Sequence, residues 1–203
     1  MQAPHARVCG PGLRAHAFRS YFSAIDPRYI IALARPRDIP RLAAIELAAA
    51  ALLEGHAPAS VLNETTSETA FRDAQADGRL WVALDGDEPV GFAHVEMLAP
   101  DLPHLEEVDV HPLHGQRGVG AALVGATCEW AKCGGYAALT LTTFRTVPWN
   151  MPFYAKLGFV EVPAGEIAPE LAAVVHDEAS RGLAVERRVV MAYRTSANTE
   201  SKR

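Results

Sequence analysis

Gly115-Gln116-Arg117-Gly118-Val119-Gly120-Ala121 sets one arginine among three closely spaced glycines, where a strand-like segment gives way to an amphipathic one. Such a loop suits an anion. The first N–H groups of a helix have no partner within it and lie at the positive end of its dipole. Glycines at 118 and 120 let the backbone approach a pyrophosphate without a Cβ in the way. Arg117 can add a direct phosphate contact. Two other phosphate loops are excluded. A Walker A loop ends in Gly-Lys-Ser/Thr, whereas Gly120 is followed by Ala-Ala-Leu. The dinucleotide fingerprint runs G-x-G-x-x-G, and the order here is the reverse, Gly115-x-x-Gly118-x-Gly120.

The elements that must position this loop are legible on both sides of it. Tyr29 to Ala34 reads as a buried strand. Asp38 can cap the helix that follows, with Pro40 in its first turn and Ile39, Leu42, Ile45, Ala49 and Leu52 as its apolar stripe. Thr65 and Glu68 stand at capping-box spacing before a second helix that stops at Gly78. Leu80 to Leu84, the turn Asp85-Gly86-Asp87 and Val90 to Leu98 form a hairpin, and a third strand runs from about His104 to Val110. A long helix starts at about Gly118, with Val119, Leu123, Thr127 and Trp130 on one face, and ends at Gly134-Gly135. Beyond it come a strand over Ala137 to Thr143 and a short helix capped by Asn150 and ended by Gly158. A short strand over Phe159 to Val162, a helix over Pro169 to Ser180 and a strand over Arg188 to Tyr193 complete the series. The order β-α-α-β-β-β-α-β-α-β-α-β implies an α/β fold, an antiparallel meander continued by βαβ crossovers, with helices on both faces of a mixed sheet.

Composition bounds the rest. The 203 residues suffice for one sizeable core. A net charge of −5 argues against a binder driven by phosphate neutralisation of nucleic acid and leaves room for a cationic substrate. Of the three cysteines, Cys128 and Cys133 are five apart on one helix and so on different faces, and no CxxC or Cys/His pairing occurs. No metal site and no disulfide framework is expected, and a cytoplasmic location is the default. No apolar run reaches the ~20 residues of a membrane span. Residues 1–28 hold Arg7, Arg14, Arg19 and Arg28 against Asp26 alone, broken by Gly10-Pro11-Gly12, and read as a disordered or loosely packed extension. Residues 29–194 read as one domain and 195–203 as a flexible tail.

The loop Gln116 to Ala121 resembles the pyrophosphate loop Q/R-x-x-G-x-G/A of the GNAT N-acetyltransferase superfamily, and Leu105 to Pro112 looks like that family's fourth strand. Downstream, Asn150, Phe153-Tyr154 and Gly158-Phe159 resemble its N-x-x-x-x-F/Y-Y-x-x-x-G-F region in a shortened form. The element order from Tyr29 to Tyr193 is also the family's. The resemblance implies a mixed, mostly antiparallel sheet whose fourth and fifth strands splay apart around acetyl-CoA, the co-substrate. It implies that the backbone of Val108, Asp109 and Val110 pairs with the pantetheine and polarises the acetyl carbonyl, where an N–H would stabilise the oxyanion. Gln116, Arg117, Gly118, Val119, Gly120 and Ala121 would hold the pyrophosphate. Asn150 and Phe153 would line the cofactor path.

Direct transfer needs two proton movements. An aliphatic amine of pKa near 10 is about 3 units from neutrality at pH 7, a cost of roughly 4 kcal/mol, which a nearby carboxylate lowers. The strand offers His104, Glu106, Glu107 and Asp109. Alternation puts His104 and Glu106 on one face with Val108 and Val110, and Glu107 and Asp109 on the other with Leu105. A bulge near the acetyl site would shift that phase by one. Glu106 and Glu107 are jointly the favoured bases, with His104 third. Tyr154 is the expected acid: a phenol near 10 giving its proton to a thiolate near 8.5 is uphill by roughly 2 kcal/mol.

The acceptor site of such proteins is built from the first two helices and the turns around the last strands. Here those regions carry Glu46, Glu54, Glu64, Glu68, Glu166, Glu170, Asp177 and Glu178, an acidic lining that favours a cationic amine; the expected acceptor is a small molecule or peptide bearing one. Pro163 to Arg188 is longer than the minimal fold needs, as a lid or a homodimer contact would be. A catalytically silent acyl-CoA-binding module of the same fold would carry the same loop.

Overall fold

Residues 25–195 are described by the computed structural model. Seven strands form one sheet: β1 (Tyr29–Leu33), β2 (Leu80–Asp85), β3 (Glu88–Ala99), β4 (Leu102–Val110), β5 (Ala138–Phe144), β6 (Val160–Glu161) and β7 (Arg188–Arg194). Their spatial order is β1-β2-β3-β4-β5-β7-β6. Every pair is antiparallel except β4 with β5, which run parallel and are in register at one position, His104 opposite Thr140. The six α-helices are α1 (Leu42–Ala50), α2 (Ala59–Leu62), α3 (Glu68–Ala76), α4 (Val119–Cys133), α5 (Asn150–Lys156) and α6 (Pro169–Ser180). Among the described residues, no helix is long and apolar enough to cross a membrane.

The sheet separates two apolar layers, and strand alternation decides which side chain joins which. Trp81, Ala83, Ala93, Val95, Leu139, Leu141 and Met191 pack with Leu123 and Val124 of α4. Leu80, Val82, Leu84 and Phe92 pack with Leu42 and Ile45 of α1 and Phe71 of α3. Strand β2 is buried on both faces, which is why Leu80 to Leu84 reads as an unbroken apolar run. Trp130 completes the α4 layer, edge-on to Trp81 and stacked on Tyr136 at 5.1 Å.

Several local expectations change. The first helix splits into 3-10, α and 3-10 segments, and Leu52 is 58% exposed rather than part of the stripe. Asp38 does not cap with its side chain, because its carboxylate is taken by Arg35. Ser67, not Thr65, caps α3, accepting from the Ala70 N–H at 3.1 Å. Asn150 is the first residue of α5 rather than its cap, and its amide donates to Thr143 Oγ1 instead. The extension expected over residues 1–28 lies outside the described residues up to position 24. Asp26, which is described, donates its N–H to the Arg117 carbonyl.

Candidate active site

Strand β4 carries the bulge. His94 faces Glu107 and Val95 faces Leu105, so Glu106 is the residue passed over. The phase shift moves Leu105 into the α4 layer, where Val108 and Val110 also pack, and leaves Glu107 and Asp109 on the α1 side. Simple alternation would have put Leu105 with the two acids. Glu106, at the bulge, keeps 36% exposure of its side chain.

Past His104 and Thr140 the parallel strands have no further paired position, and a cavity of about 1230 Å³ opens there. At one end it is bounded by the loop from Pro112 to Gly120. Gln116 is the only non-glycine among the described residues with positive φ, 58°, and Gly118 follows at 79°. These left-handed turns swing the chain into α4 with its amides uncommitted: among the described residues, no N–H from Gln116 to Ala121 donates to a protein acceptor. A Cβ on Gly120 would stand 3.6 Å from Phe153 Cζ and 3.7 Å from Val110 Cγ2, so the glycine brings α4, α5 and β4 together.

Tyr29 braces this loop. Its hydroxyl accepts from Arg28 and, at 3.3 Å, from Arg117 Nη1. Its own proton is then free for His114 Nδ1 at 3.0 Å. Arg117 is thereby held at the cavity wall, and Arg28 stacks on the same ring. His111 Nδ1 accepts from the Leu113 N–H.

The other end is acidic. Carboxylate oxygens of Glu46, Glu107 and Asp109 all lie within 4.8 Å of one another. Glu46 is buried and accepts from the N–H and hydroxyl of Thr66 at 3.0 Å. Burial, with Glu46 and Glu106 as neighbours, lifts Glu107 to about 8 against the pull of the Val108 N–H and Arg188. Asp109 is raised by the same burial and by Glu107 and Glu46. Glu106 is lifted to about 7, by desolvation and then by Glu96 and Glu178. Burial and the carboxylates of Glu107 and Asp109 also raise the Tyr154 phenol, so it stays protonated. Tyr154 lies edge-on to Phe153 at 5.0 Å and to Phe159 at 5.8 Å.

Arg188 and Glu178 also line the cavity. Arg188 donates through Nε to Glu178 Oε2 at 2.8 Å and through Nη2 to Oε1 at 2.5 Å, and Thr142 donates to the same carboxylate at 2.6 Å. Their side chains are 8% and 7% exposed. Arg181, at the end of α6, bridges to Glu64 at 3.0 Å across the cavity. Glu170 and Asp177 line a side pocket with Glu96 and Glu106. Glu68 and Glu166 instead pair with Arg72 and Arg194 at the surface.

The structure therefore brings Glu106, Glu107, Val108, Asp109, Val110, Gln116, Arg117, Gly120, Asn150, Phe153 and Tyr154 to one cavity. Gly118, Val119 and Ala121 form the loop and helix start beside it, Val119 itself being buried. Arg188, Tyr29 and Thr140 escaped sequence reasoning. Each acts through a partner at least 36 residues away, or from within a strand pattern that reads as packing. Trp149 is 49% exposed at the cavity wall, against His56. Cys128 is pushed up to about 12, by burial first, which leaves it a packing residue.

The fold recurs in solved structures. The PaiA N-acetyltransferase of Thermoplasma acidophilum, determined with coenzyme A, is 15% identical, covers 82% of this chain and 98% of its own, and superposes with a TM-score of 0.63. The ribosomal-protein-S18-alanine N-acetyltransferase of Escherichia coli is 19% identical over 86% of this chain and 99% of its own, at 0.58. N-acetylglutamate synthase of Neisseria gonorrhoeae, determined with coenzyme A and N-acetyl-glutamate, is 18% identical over 82% of this chain and 35% of its own, at 0.61. A sequence profile of the acetyltransferase (GNAT) family matches residues 45–159, more than half of the 203 residues. With its glycine loop at the start of α4 and its β4 and β5 parted beyond one paired position, this chain belongs to the GNAT acetyltransferase family.

Proposed function

We propose that the protein transfers the acetyl group of acetyl-CoA directly to a primary amine of a small molecule or peptide. One observation carries the reading: a single cavity joins a loop of uncommitted N–H groups to a group of carboxylates that, among the described residues, form no ion pair. The loop fits a diphosphate, since its amides from Gln116 to Ala121 have no protein acceptor among the described residues and Arg117 is held beside them. The gap beyond His104 and Thr140 leaves β4 backbone groups open along Val108 to Val110 for an extended acyl-bearing arm.

The acids divide the work by their proton affinity. Glu107, lifted to about 8, shares protons with Glu46 and Asp109 near neutrality, and the trio draws the acceptor's ammonium by charge. Glu106, lifted to about 7, is poised to take the proton that makes the amine nucleophilic. The nitrogen then bonds to the acetyl carbon as the C–S bond breaks. The departing thiolate takes its proton from Tyr154, whose phenol is kept protonated by burial but is thereby a weaker acid than a free tyrosine. The second proton of the acylated nitrogen restores the phenol.

The test is thiol release from acetyl-CoA against amines, amino acids, polyamines, aminoglycosides and peptide N-termini. Turnover with at least one class is expected, slowed by roughly 10²-fold or more in Glu106→Gln. Thermal stabilisation by acetyl-CoA with no thiol release on any acceptor would mark a silent acyl-CoA-binding module instead.

A further inference from the structure

The one place where β4 and β5 meet is also joined through its side chains. His104 Nδ1 and Thr140 Oγ1 are 3.0 Å apart. The Thr140 hydroxyl has a single proton, and it goes to the Pro103 carbonyl at 3.0 Å. Thr140 can then only accept from the imidazole, so Nδ1 carries the hydrogen. The ring is 1% exposed, and burial, followed by Arg188, pushes its pKa down to about 4. His104 is therefore neutral at working pH with its lone pair on Nε2, and Nε2 stands 3.9 Å from Glu106 Oε2. An ionised carboxylate and an unprotonated imidazole nitrogen are both acceptors. No hydrogen bond joins them at that distance, and a proton is what is missing between them.

We infer that His104 is a positioning residue for Glu106: its Nε2 receives the hydrogen bond of the Glu106 carboxylic acid once that group has taken the acceptor's proton. This rests on the reading of Glu106 as the base. The step balances, since R–NH3+ and the carboxylate become R–NH2 and the carboxylic acid. The new O–H then lies between Oε2 and Nε2. After transfer the proton leaves to solvent through the 36% of Glu106 that remains exposed.

A hydrogen bond to the neutral form favours it and strengthens the base. Other groups also bear on Glu106: Glu107 on its own strand, Glu96 of β3, Glu178, Arg181, Glu170 and Asp177 around α6, and Arg188 of β7, which faces His104 as well. All of these act through charge and persist when His104 is replaced. The contribution of His104 requires a lone pair at one point, and this separates it from them.

The experiment is the pH profile of kcat/KM in wild type, His104→Phe, His104→Gln, Thr140→Val and Glu106→Gln, with thermal midpoints measured alongside. The wild-type acid limb is expected near 7. His104→Phe should move it down by about one unit, as loss of a hydrogen bond to the neutral acid predicts. His104→Gln, whose amide oxygen can accept, should restore part of the shift. Thr140→Val frees the tautomer and should move the limb the same way by less. If Glu106→Gln abolishes the limb while His104→Phe and Thr140→Val leave it in place, the role of His104 is overturned and Glu106 as base stands. If Glu106→Gln keeps the wild-type profile, both fall together. Should His104→Phe fail to fold, the Gln and Val variants decide alone.

Discussion

Glu46 of α1 and Asp109 of β4 bring carboxylate oxygens within 4.8 Å of each other, with Glu107 inside the same span. Among the described residues none of the three forms an ion pair with a Lys, Arg or His, and their burial and mutual repulsion raise the proton affinity of Glu107 and Asp109, so stability must depend on pH. Between about pH 7 and 8 the unfolded chain has released its carboxyl protons, while native Glu107 holds one up to about 8. The native state then binds more protons than the unfolded state, and stability falls as pH rises through this window. Below about 6.5 the sign reverses for His94 and His104, both lowered to about 4, because the unfolded imidazoles take protons that the native ones refuse. Denaturant midpoints across pH 5 to 9 should show a decline above 7. Glu107→Gln should flatten it, and an unchanged slope in that variant would refute the shared-proton account.

Tyr154→Phe retains the ring that packs on Phe153 and Phe159 and removes its only transferable proton. Acetyl-CoA affinity should stay within a few-fold while the rate drops by roughly 10²-fold, the low end for general acid catalysis. Joint loss of stability and cofactor affinity would identify a packing aromatic. Wild-type turnover would show that the thiolate leaves unaided.

Gly120 has room for a Cβ at ordinary contact distance from Phe153 and Val110. Gly120→Ala should therefore fold and still show a thermal shift with acetyl-CoA. Gly120→Val sets two methyl groups further into the space beside Phe153, Val110 and the loop amides, and its affinity should fall by at least tenfold, about 1.4 kcal/mol. Normal binding by the Val variant would place the diphosphate elsewhere.

Arg188 and Glu178 are a buried pair at 8% and 7% exposure. Removing one partner strands the other charge, so Arg188→Met should cost about 3–5 kcal/mol in denaturant unfolding. The double variant Arg188→Met, Glu178→Leu should recover most of that loss. A single variant as stable as wild type would mean that water already reaches the pair.

The glycine loop was legible because its demands are local: a left-handed turn, absent Cβ atoms and a helix start are written in adjacent residues. Element order followed from periodicity for the same reason. The phase of β4 was not, because the bulge at Glu106 depends on how β3 pairs with it, and the strand's own alternation conceals the slip. Capping went astray at Thr65 because Glu46, 20 residues away, holds Thr66 and leaves Ser67 to cap α3. Asn150 turned toward Thr143 on a neighbouring strand. Arg188 opens a strand whose remaining residues are apolar, and only the folded chain shows Glu178 beneath it.

The single paired position between β4 and β5 divides the sheet mechanically into a four-stranded and a three-stranded plate. Elsewhere each strand is zipped to its neighbour along much of its length, so tension pulled from β1 toward β6 concentrates at one seam. A molecule laid along the open part, bonded to backbone groups of the flanking strands, acts as a suture. Amide exchange in β4 and β5 should slow together when acetyl-CoA binds, more than in β2 or β3. The stiffness of the protein across that seam is then a property of its loaded state.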